Sequence, residues 1–494
     1  MNINFKFLLT DCLPETFLGF SILAMLMMPF FLKKDISKKM YYSFTFIILS
    51  LIFFVWKSVA GTTYLFNGFF ITDAVTNYFK IFSLISILFI GLSYRDNLVH
   101  SDMPYEIFVI FLLQVMGVFQ TISANDFITL FLGLELMNIS LYVTLALKKN
   151  GDESRESVSK YFILSAISSC FILFGISWIY GLTGSTNFTT LERIFEIVNY
   201  DRVFLTLVAF CFIVVGISFK LLLAPLHFWA PQVYKKLSYF QITLLGVVPK
   251  IVFYSVFLKI CACFMHSVLK DWSFLMILLS VISMLLGGFT ALVQTNLRKF
   301  IAYSSVGQLG FVLIGFASIH ESGYTDSLMY FSNYILSFLG FITLLGLFDR
   351  YKLSIVNLSD LKKIRSIDFK WSVFLSLFIL NMAGLPPLPG FIFKLHLING
   401  LILQNQYIQA FVALLYSLIS AAYYLKFISI IYFGDNKTNS TSMGTSKVES
   451  HQTVLVQESS ILYIAILGIM ISFILRPDFF ISRFEKVISN LIFY

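Results

Sequence analysis

The sequence predicts an all-α polytopic membrane protein with about 14 transmembrane helices. Of its 494 residues, 58% are hydrophobic and only 12% are charged, and the mean hydropathy is +0.85. Apolar stretches of about 20 residues, the length that crosses the hydrocarbon core as a helix, recur from end to end. A soluble fold of this length could not bury so much apolar surface.

Apolar windows give the spans in order. They lie near residues 13–32, 41–60, 74–94, 105–122, 126–147, 158–180, 203–223, 238–261, 273–294, 301–317, 326–349, 372–401, 406–433 and 458–481. Lys and Arg concentrate in every second loop, so the positive-inside rule predicts these loops on the matrix or cytoplasmic side and both termini on the opposite side. The net charge of +9 is therefore interpreted as membrane topology, not as nucleic-acid binding.

Proline interrupts two of the spans. In the seventh, Pro225 and Pro231 follow Lys220 at the end of the span, and the twelfth contains Pro386, Pro387 and Pro389. Because proline removes a backbone donor and clashes with the preceding turn, each span should break where protein or water surrounds it. Broken helices in corresponding positions of two halves indicate inverted repeats around an ion site. The predicted parts are a three-helix segment (1–100), a first repeat of helices 4–8 (101–265), a second repeat of helices 9–13 (266–435), and an inside loop with helix 14 (436–494).

Four charged residues, Glu135, Lys220, Lys250 and Lys394, lie inside the apolar runs. A charge at the bilayer centre costs about 2.5 kcal/mol or more, so such residues normally face a polar interior and carry protons or ions. We predict that the four form a proton relay. The alternative is that they hold helices together as static buried pairs.

A polar stripe accompanies the carboxylate. Asn138 and Tyr142 follow Glu135 at i+3 and i+7, on the same helix face. Lys220 precedes the break in the seventh span, and the protonation state of a buried lysine depends on its distance from a carboxylate. A Glu135–Lys220 pair is therefore expected to act as a proton switch.

Several further titratable residues are weaker candidates. His227 adjoins the break and either passes protons between Lys220 and Lys250 or satisfies freed carbonyls. Lys160, at the inner end of the sixth span, is a possible relay member. Lys80 and Lys259 lie toward helix ends and are expected to snorkel to the surface.

No cofactor is expected in this chain, because the sequence has no glycine-rich phosphate loop, iron–sulfur spacing or nucleotide fingerprint. Cys261 and Cys263 with His266 lack a fourth ligand nearby, which argues against a metal site. The N-terminus lacks the features of a cleaved signal peptide, so the first apolar run is expected to be a retained helix.

Five stretches of the sequence resemble a known family. The strings GLELMNISLY, GISFKLLLAPLHFWAPQVY, QTNLRKFIAYSSVGQLGFVLIGF, NMAGLPPLPGFIFKL and KYFILSAISSCFILFGISWIYGLTGS are similar to the N-type membrane-arm subunit (subunit 2) of NADH:ubiquinone oxidoreductase, respiratory complex I. The family's glutamate of helix 5 and its lysines of helices 7, 8 and 12 map onto Glu135, Lys220, Lys250 and Lys394. Lys394 favours this subunit over the 4-type sister subunit, which usually has glutamate there.

The sequence departs from the family pattern at a few positions. Gln232, Lys235 and Lys236 differ from the usual residues after Pro231, and Gln308 stands where helix 10 often has histidine. All four buried charges are kept.

The resemblance implies an antiporter-like subunit without a cofactor of its own, which carries protons across the mitochondrial inner membrane or, alternatively, a bacterial inner membrane. NADH, FMN, iron–sulfur clusters and ubiquinone would belong to partner subunits. Expected partners are other membrane-arm subunits, including other antiporter-like ones, and membrane lipid, but no nucleic acid. Two alternatives stay open, namely a subunit of a multi-subunit sodium/proton antiporter and a scaffold subunit that does not pump.

Overall fold

A computed structural model shows a nearly all-helical, multi-pass membrane protein. Within the residues that it describes, 11 helices are long and apolar enough to cross a membrane. The described residues are 12–31, 35–58, 61–100, 105–147, 152–197, 200–263, 269–318, 321–350, 355–367, 369–433, 462–473 and 477–492. The predicted inside loop at 436–450 lies outside them.

Three long helices and a small hairpin form the N-terminal segment. The elements are α1 (Leu13–Phe31), α2 (Ile36–Lys57), β1 (Thr63–Leu65), β2 (Phe70–Thr72), α3 (Ala74–Ser93) and α4 (Arg95–Val99). The two strands are antiparallel, with Tyr64 opposite Ile71. Helix α3 begins after Asp73, whose side chain accepts a hydrogen bond from the Thr76 amide at 2.6 Å.

Eight helices follow in the first half of the remaining chain. They are α5 (Glu106–Ser123), α6 (Phe127–Ala146), α7 (Asp152–Thr183), α8 (Phe188–Ile197), α9 (Tyr200–Lys220), α10 (Trp229–Lys236), α11 (Tyr239–Gly246) and α12 (Val248–Cys263). Glycine brings α5 and α6 into backbone contact, because a Cβ on Gly133 would lie 2.7 Å from the amide nitrogen of Thr121.

The second half has a similar order of elements. They are α13 (Leu269–Val293), α14 (Leu297–Leu313), a 3-10 turn (Ile314–Ser318), α15 (Glu321–Arg350), a second 3-10 turn (Leu358–Leu361), α16 (Lys362–Ile367), α17 (Phe369–Ala383), α18 (Pro389–Leu403) and α19 (Tyr407–Phe433). The apolar helix α20 (Leu462–Phe473) and the amphipathic helix α21 (Pro477–Ile492) follow.

The two halves share a pairing between loops. The residue before α6, Asp126, forms an antiparallel bridge with Asn187 after α7, and the residue before α14, Asn296, forms the same bridge with Asn357 after α15. Two backbone hydrogen bonds flank each bridge, at 3.0 Å in the first and 2.9 Å in the second. We call these the first and second loop clamps.

The predicted fold class is confirmed. The 11 long helices, the two broken spans and α20 correspond in order to the predicted spans. The seventh span breaks between α9 and α10, and the twelfth breaks between α17 and α18. Helix α7 begins six residues before its predicted span, because its polar first turns continue into water with Glu156 and Lys160 paired at i,i+4.

Short and amphipathic elements were not predicted. Windows of mean hydropathy cannot detect the hairpin, α8, α10 or α21, because polar residues dilute their apolar faces. A further interruption separates α11 from α12 at Val247. Pro249 then lies in the first turn of α12, where its missing amide hydrogen costs no intrahelical bond.

Candidate functional site

Asn138 lies between Glu135 and Lys220. All three belong to the junction of α6 with the end of α9. The Asn138 side-chain amide donates to Glu135 Oε1 at 3.4 Å, and its carbonyl oxygen accepts from Lys220 Nζ at 3.3 Å. Among the ion pairs of the described residues, none joins Glu135 directly to Lys220. The carboxylate and the ammonium group are thus connected through one neutral side chain.

Lys220 is enclosed by hydroxyls and aromatic rings. Its side chain is 5% exposed, and Nζ donates to Ser165 Oγ in a very short contact and to Tyr142 OH at 3.5 Å. The rings of Tyr142, Tyr161 and Phe253 lie 5.7–5.9 Å from Nζ. Tyr142 OH and Ser165 Oγ are themselves 2.5 Å apart. These groups can pass a proton to or from Lys220 without a large side-chain movement.

Protein groups satisfy the backbone where the helix breaks after Lys220. The amide of Ala224 donates to Ser283 Oγ at 2.8 Å, and the indole of Trp229 donates to the carbonyl of Phe219 at 3.0 Å. Irregular backbone at membrane depth is tolerated only with such partners. Specific contacts therefore stabilise the break, which fixes Lys220 at the end of α9.

Lys250 lies in the first turn of α12 and is 1% exposed. Its Nζ donates to Tyr334 OH at 3.2 Å, and the ring of Phe338 lies 4.1 Å away. Tyr334 OH donates in turn to Ser305 Oγ at 3.0 Å. Within the described part of the chain, no carboxylate forms an ion pair with Lys250. A charge on this lysine is therefore costly and easily given up.

Gln308 stands between Lys250 and Lys394. It is fully buried one turn after Ser305, and its carbonyl oxygen accepts a very short hydrogen bond from Tyr330. Its side-chain amide donates to the carbonyl of Met382 at 3.2 Å and to Tyr424 OH at 3.5 Å. Met382 precedes the residue that holds Lys394.

Lys394 is the last of the four buried charges, with 3% of its surface exposed. Its Nζ donates to the carbonyl of Ala383 at 2.8 Å, at the end of α17, and to Ser420 Oγ at 3.0 Å. Gly384, with φ +77°, makes room for it, because a Cβ there would lie 2.6 Å from Lys394 Cδ. The ammonium group of Lys394 thus gives a donor to a carbonyl at the end of α17, and that carbonyl gives the lysine an acceptor.

A cavity of about 430 Å³ lies between α6 and α7, at the ends of these helices that are distant from the first loop clamp. Its lining includes Tyr142, which contacts Lys220, and Arg155 and Ser159. Ser154 also lines it, with a buried hydroxyl that makes no hydrogen bond. The side chain of Tyr142 therefore lies between this partly open cavity and Lys220.

Two predicted candidates lie apart from the buried charges. Lys160 is exposed and pairs with Glu156 at 2.5 Å, and Lys236 pairs with the same carboxylate at 2.9 Å. The hydrogen bond from Lys236 to Glu156 raises the pKa of Lys236. His227 packs against Tyr303 and has a buried ring nitrogen without a hydrogen bond. No ion pair in the described part of the chain joins Lys160 or His227 to the four buried charges, and a relay role for either residue stays a prediction.

Snorkelling, which we predicted for Lys80 and Lys259, is wrong for both. Lys80 is 1% exposed and pairs with Glu15 at 2.6 Å. Lys259 is buried and donates to the carbonyls of Ile122 and Ala124. Neighbouring helices cover both of these positions, so position along a helix does not by itself imply access to the membrane surface. No sequence pattern indicated that Lys80 pairs with Glu15.

Metal chemistry has no candidate ligands in the described residues, where no group of three or more His, Cys, Asp or Glu side chains could hold an ion. What the four charges and their hydroxyl neighbours can do is hold and pass protons. Tyr334 and Gln308 were not predicted as site residues, whereas Ser165 and Ser305 were expected to hold water between the charges or to serve helix packing.

A family model and known relatives match most of this chain. Residues 124–473 match the family described as NADH:quinone oxidoreductase/Mrp antiporter, transmembrane. NADH-quinone oxidoreductase subunit N of Pelagibacter ubique is 32% identical over 440 residues, covering 88% of this chain and 91% of the relative.

Solved structures share the fold. A chain of respiratory complex I from Thermus thermophilus has a TM-score of 0.76 at 20% identity, covering 95% of this chain and 98% of its own. A chain of the Mrp complex from Dietzia has a TM-score of 0.79 at 16% identity, covering 100% of this chain and 98% of its own. At these identities the likeness concerns the fold alone.

Proposed function

The chain belongs to the NADH:quinone oxidoreductase/Mrp antiporter family, and we propose that it carries protons across the membrane as the antiporter-like N-type subunit of an NADH-quinone oxidoreductase. Oxidation of NADH and reduction of quinone then take place in partner subunits, which hold the FMN, the iron–sulfur clusters and ubiquinone. This chain supplies no redox centre. Its partners are the other membrane-arm subunits, including other antiporter-like ones, and lipid.

The observation that carries the proposal is the series of buried lysines with neutral partners. Lys220 contacts hydroxyls and an amide, Lys250 a tyrosine, and Lys394 a carbonyl and a serine. A static structural ion would be expected beside a counter-charge. Lysines that are costly to charge exchange a proton readily, and charging one opposes charging its neighbour.

The relay therefore runs from Glu135 through Lys220 and Lys250 to Lys394. Tyr142 and Ser165 serve the first lysine, and Tyr334 and Ser305 serve the second. Gaps beyond hydrogen-bond reach need bridging water. Gln308 cannot hold a proton, so between Lys250 and Lys394 it positions the hydroxyls of Tyr330 and Tyr424 around the path.

The repeats and the topology belong to the same proposal. Two loop clamps in corresponding places support inverted repeats at 101–265 and 266–435. The basic loops face the cytoplasm or matrix. Bacterial relatives favour a bacterial inner membrane, with the mitochondrial inner membrane as the alternative.

Replacing Lys250 tests this function. In the assembled complex, reconstituted in vesicles, Lys250→Met removes the proton site at similar length, whereas Lys250→Arg keeps a charge that is not released. Both should lower coupled proton transport and quinone reduction to below about a tenth of wild type. Lys57→Met, which removes an exposed lysine, is the matched control. A normal proton-to-electron ratio in Lys250→Met would overturn the relay.

The fold also fits a subunit of a multi-subunit cation/proton antiporter, since the Mrp chain shares it. Purification of the native assembly separates the two functions. Flavin and iron–sulfur clusters in the assembly support the oxidoreductase, and their lack supports the antiporter. A scaffold role would appear as loss of the whole complex when any buried charge is removed.

A further inference from the structure

A second buried ion pair lies outside the four charges, in the N-terminal segment. Lys80 of α3 and Glu15 of α1 meet at 2.6 Å. The lysine is 1% exposed, whereas the side chain of Glu15 is 22% exposed. Lys80 Nζ also lies 5.2 Å from the ring centre of Phe119 on α5. The pair thus has one member deep in the protein and one that reaches toward its surface.

Lys259 lies near the same end of α5. It is on α12, nine residues after Lys250, which is about 13 Å along a helix. Its Nζ donates to the carbonyls of Ile122 and Ala124, where α5 ends. Phe119 and Ser123 are one turn apart on α5, on one face. The end of α5 therefore connects the helix of Lys250 to the Glu15–Lys80 pair.

Two buried polar atoms in this region have no hydrogen-bond partner. They are Ser123 Oγ and Glu15 Oε2. Buried polar groups in proteins are usually satisfied by protein or by ordered water, so two unsatisfied oxygens beside two lysines indicate a place that takes water.

We propose that Lys259, Ser123, Lys80 and Glu15 form a hydrated proton route that leads from the helix of Lys250 to the hairpin face of the protein. This inference rests on the proposed function. The hairpin closes over this end of α5, since the Asn125 amide donates to the Phe69 carbonyl at 2.9 Å. The ligand of the site is water carrying an excess proton.

The proton step is simple and balanced. The Lys80 ammonium gives a proton to the Glu15 carboxylate, breaking an N–H bond and forming an O–H bond. Glu15 releases the proton to water at its exposed side. The neutral Lys80 amine then takes the next proton from a hydronium ion near Ser123 and Lys259, which is left as water. The direct contact between Lys80 and Glu15 makes this transfer short, and the greater exposure of Glu15 places the solvent end of the route at that residue.

The test separates a proton route from a structural pair. Replacing both partners of a buried ion pair by apolar residues is often neutral or stabilising, whereas removing one strands a charge. The variants are Glu15→Leu/Lys80→Met together and Lys80→Met alone. Each is studied in the whole complex reconstituted in vesicles, with assembly measured by native electrophoresis and proton transport by a vesicle pH dye. Lys57→Met is the control, and Lys250→Met is run alongside.

We expect the double variant to assemble normally and yet to transport protons at below about a tenth of the wild-type rate. Wild-type transport in the assembled double variant would overturn the route and leave a structural pair. Failure of the double variant to assemble would also overturn it, because the pair would then be needed for folding. If Lys250→Met also transports normally, the proposed function fails with it, whereas impaired Lys250→Met beside a normal double variant refutes the route alone.

Discussion

Glu135 and Lys220 share one hydrogen-bonding partner, the side chain of Asn138, and form no direct ion pair in the described part of the chain. A direct contact in this buried setting would hold the lysine charged. The intervening amide keeps the two groups associated but leaves the attraction weaker. Small changes in this spacing then alter the proton affinity of Lys220.

Changing Asn138 tests this arrangement. Asn138→Asp puts a carboxylate against Lys220, which should trap its proton and slow coupled turnover more than Asn138→Leu does. Asn138→Leu removes the hydrogen bonds to Glu135 and to Lys220, each worth about 1.5–3 kcal/mol, and should lower turnover about tenfold. Turnover is measured as NADH-driven proton transport in vesicles. Ser140→Ala, which loses only a bond to its own helix, is the control. Equal activity in the two Asn138 variants would contradict the mechanism.

Removal of Glu135 should affect transport more than assembly. Glu135→Ala takes away the carboxylate that favours a proton on Lys220, so we expect transport to fall about tenfold or more with the complex still present. Glu135→Asp keeps the charge at shorter reach and should retain partial activity. Native electrophoresis measures assembly, and the vesicle assay measures transport. Absence of the whole complex in Glu135→Ala would favour the scaffold role.

Tyr334 is the single hydrogen-bond acceptor recorded for Lys250 in the described residues. Tyr334→Phe keeps the ring and removes the hydroxyl that links Lys250 to Ser305. We expect transport to fall by about tenfold without loss of assembly, because one proton-passing group is gone. Tyr407→Phe, at an exposed tyrosine of α19, is the control. Unchanged transport in Tyr334→Phe would mean that protons leave Lys250 by another path.

Gly133 should be required for folding and not for chemistry. Its α-carbon faces the backbone of α5, and overpacking of a tight contact typically costs about 1–3 kcal/mol, more where backbone must move. Gly133→Leu should therefore lower the thermal unfolding temperature and the yield of the purified chain. Gly181→Ala is the control, because nothing lies within 4 Å of a Cβ there. Normal stability of Gly133→Leu would show that α5 and α6 can separate freely.

Hydropathy and proline were sufficient to predict the membrane spans and the breaks at the seventh and twelfth of them, because membrane insertion imposes length and apolarity on each span. They also located Lys220, Lys250 and Lys394. Sequence paired Lys220 with Glu135, but it could not assign partners to Lys250 or Lys394. Whether Lys80 reaches the surface or meets Glu15 depends on how α1 packs on α3, which no local pattern specifies. For the same reason, the position of Gln308 between Lys250 and Lys394 depends on how the helices pack and could not be predicted from the sequence.

The first loop clamp fixes one end of the helix pair α6 and α7 and can act as a pivot for α6. Asp126 and Asn187 join the two helices at one end, while at the other a cavity lined by Tyr142, Ala146 and Val158 lies between them. Helix α6 is about 30 Å long at 1.5 Å per residue, so a pivot of about 5° at the clamp displaces its far end by about 2.6 Å. Tyr142, which contacts Lys220, lies in the part that moves most. A pivot of α6 at the clamp would therefore change the contact between Tyr142 and Lys220 more than the contacts beside Asp126.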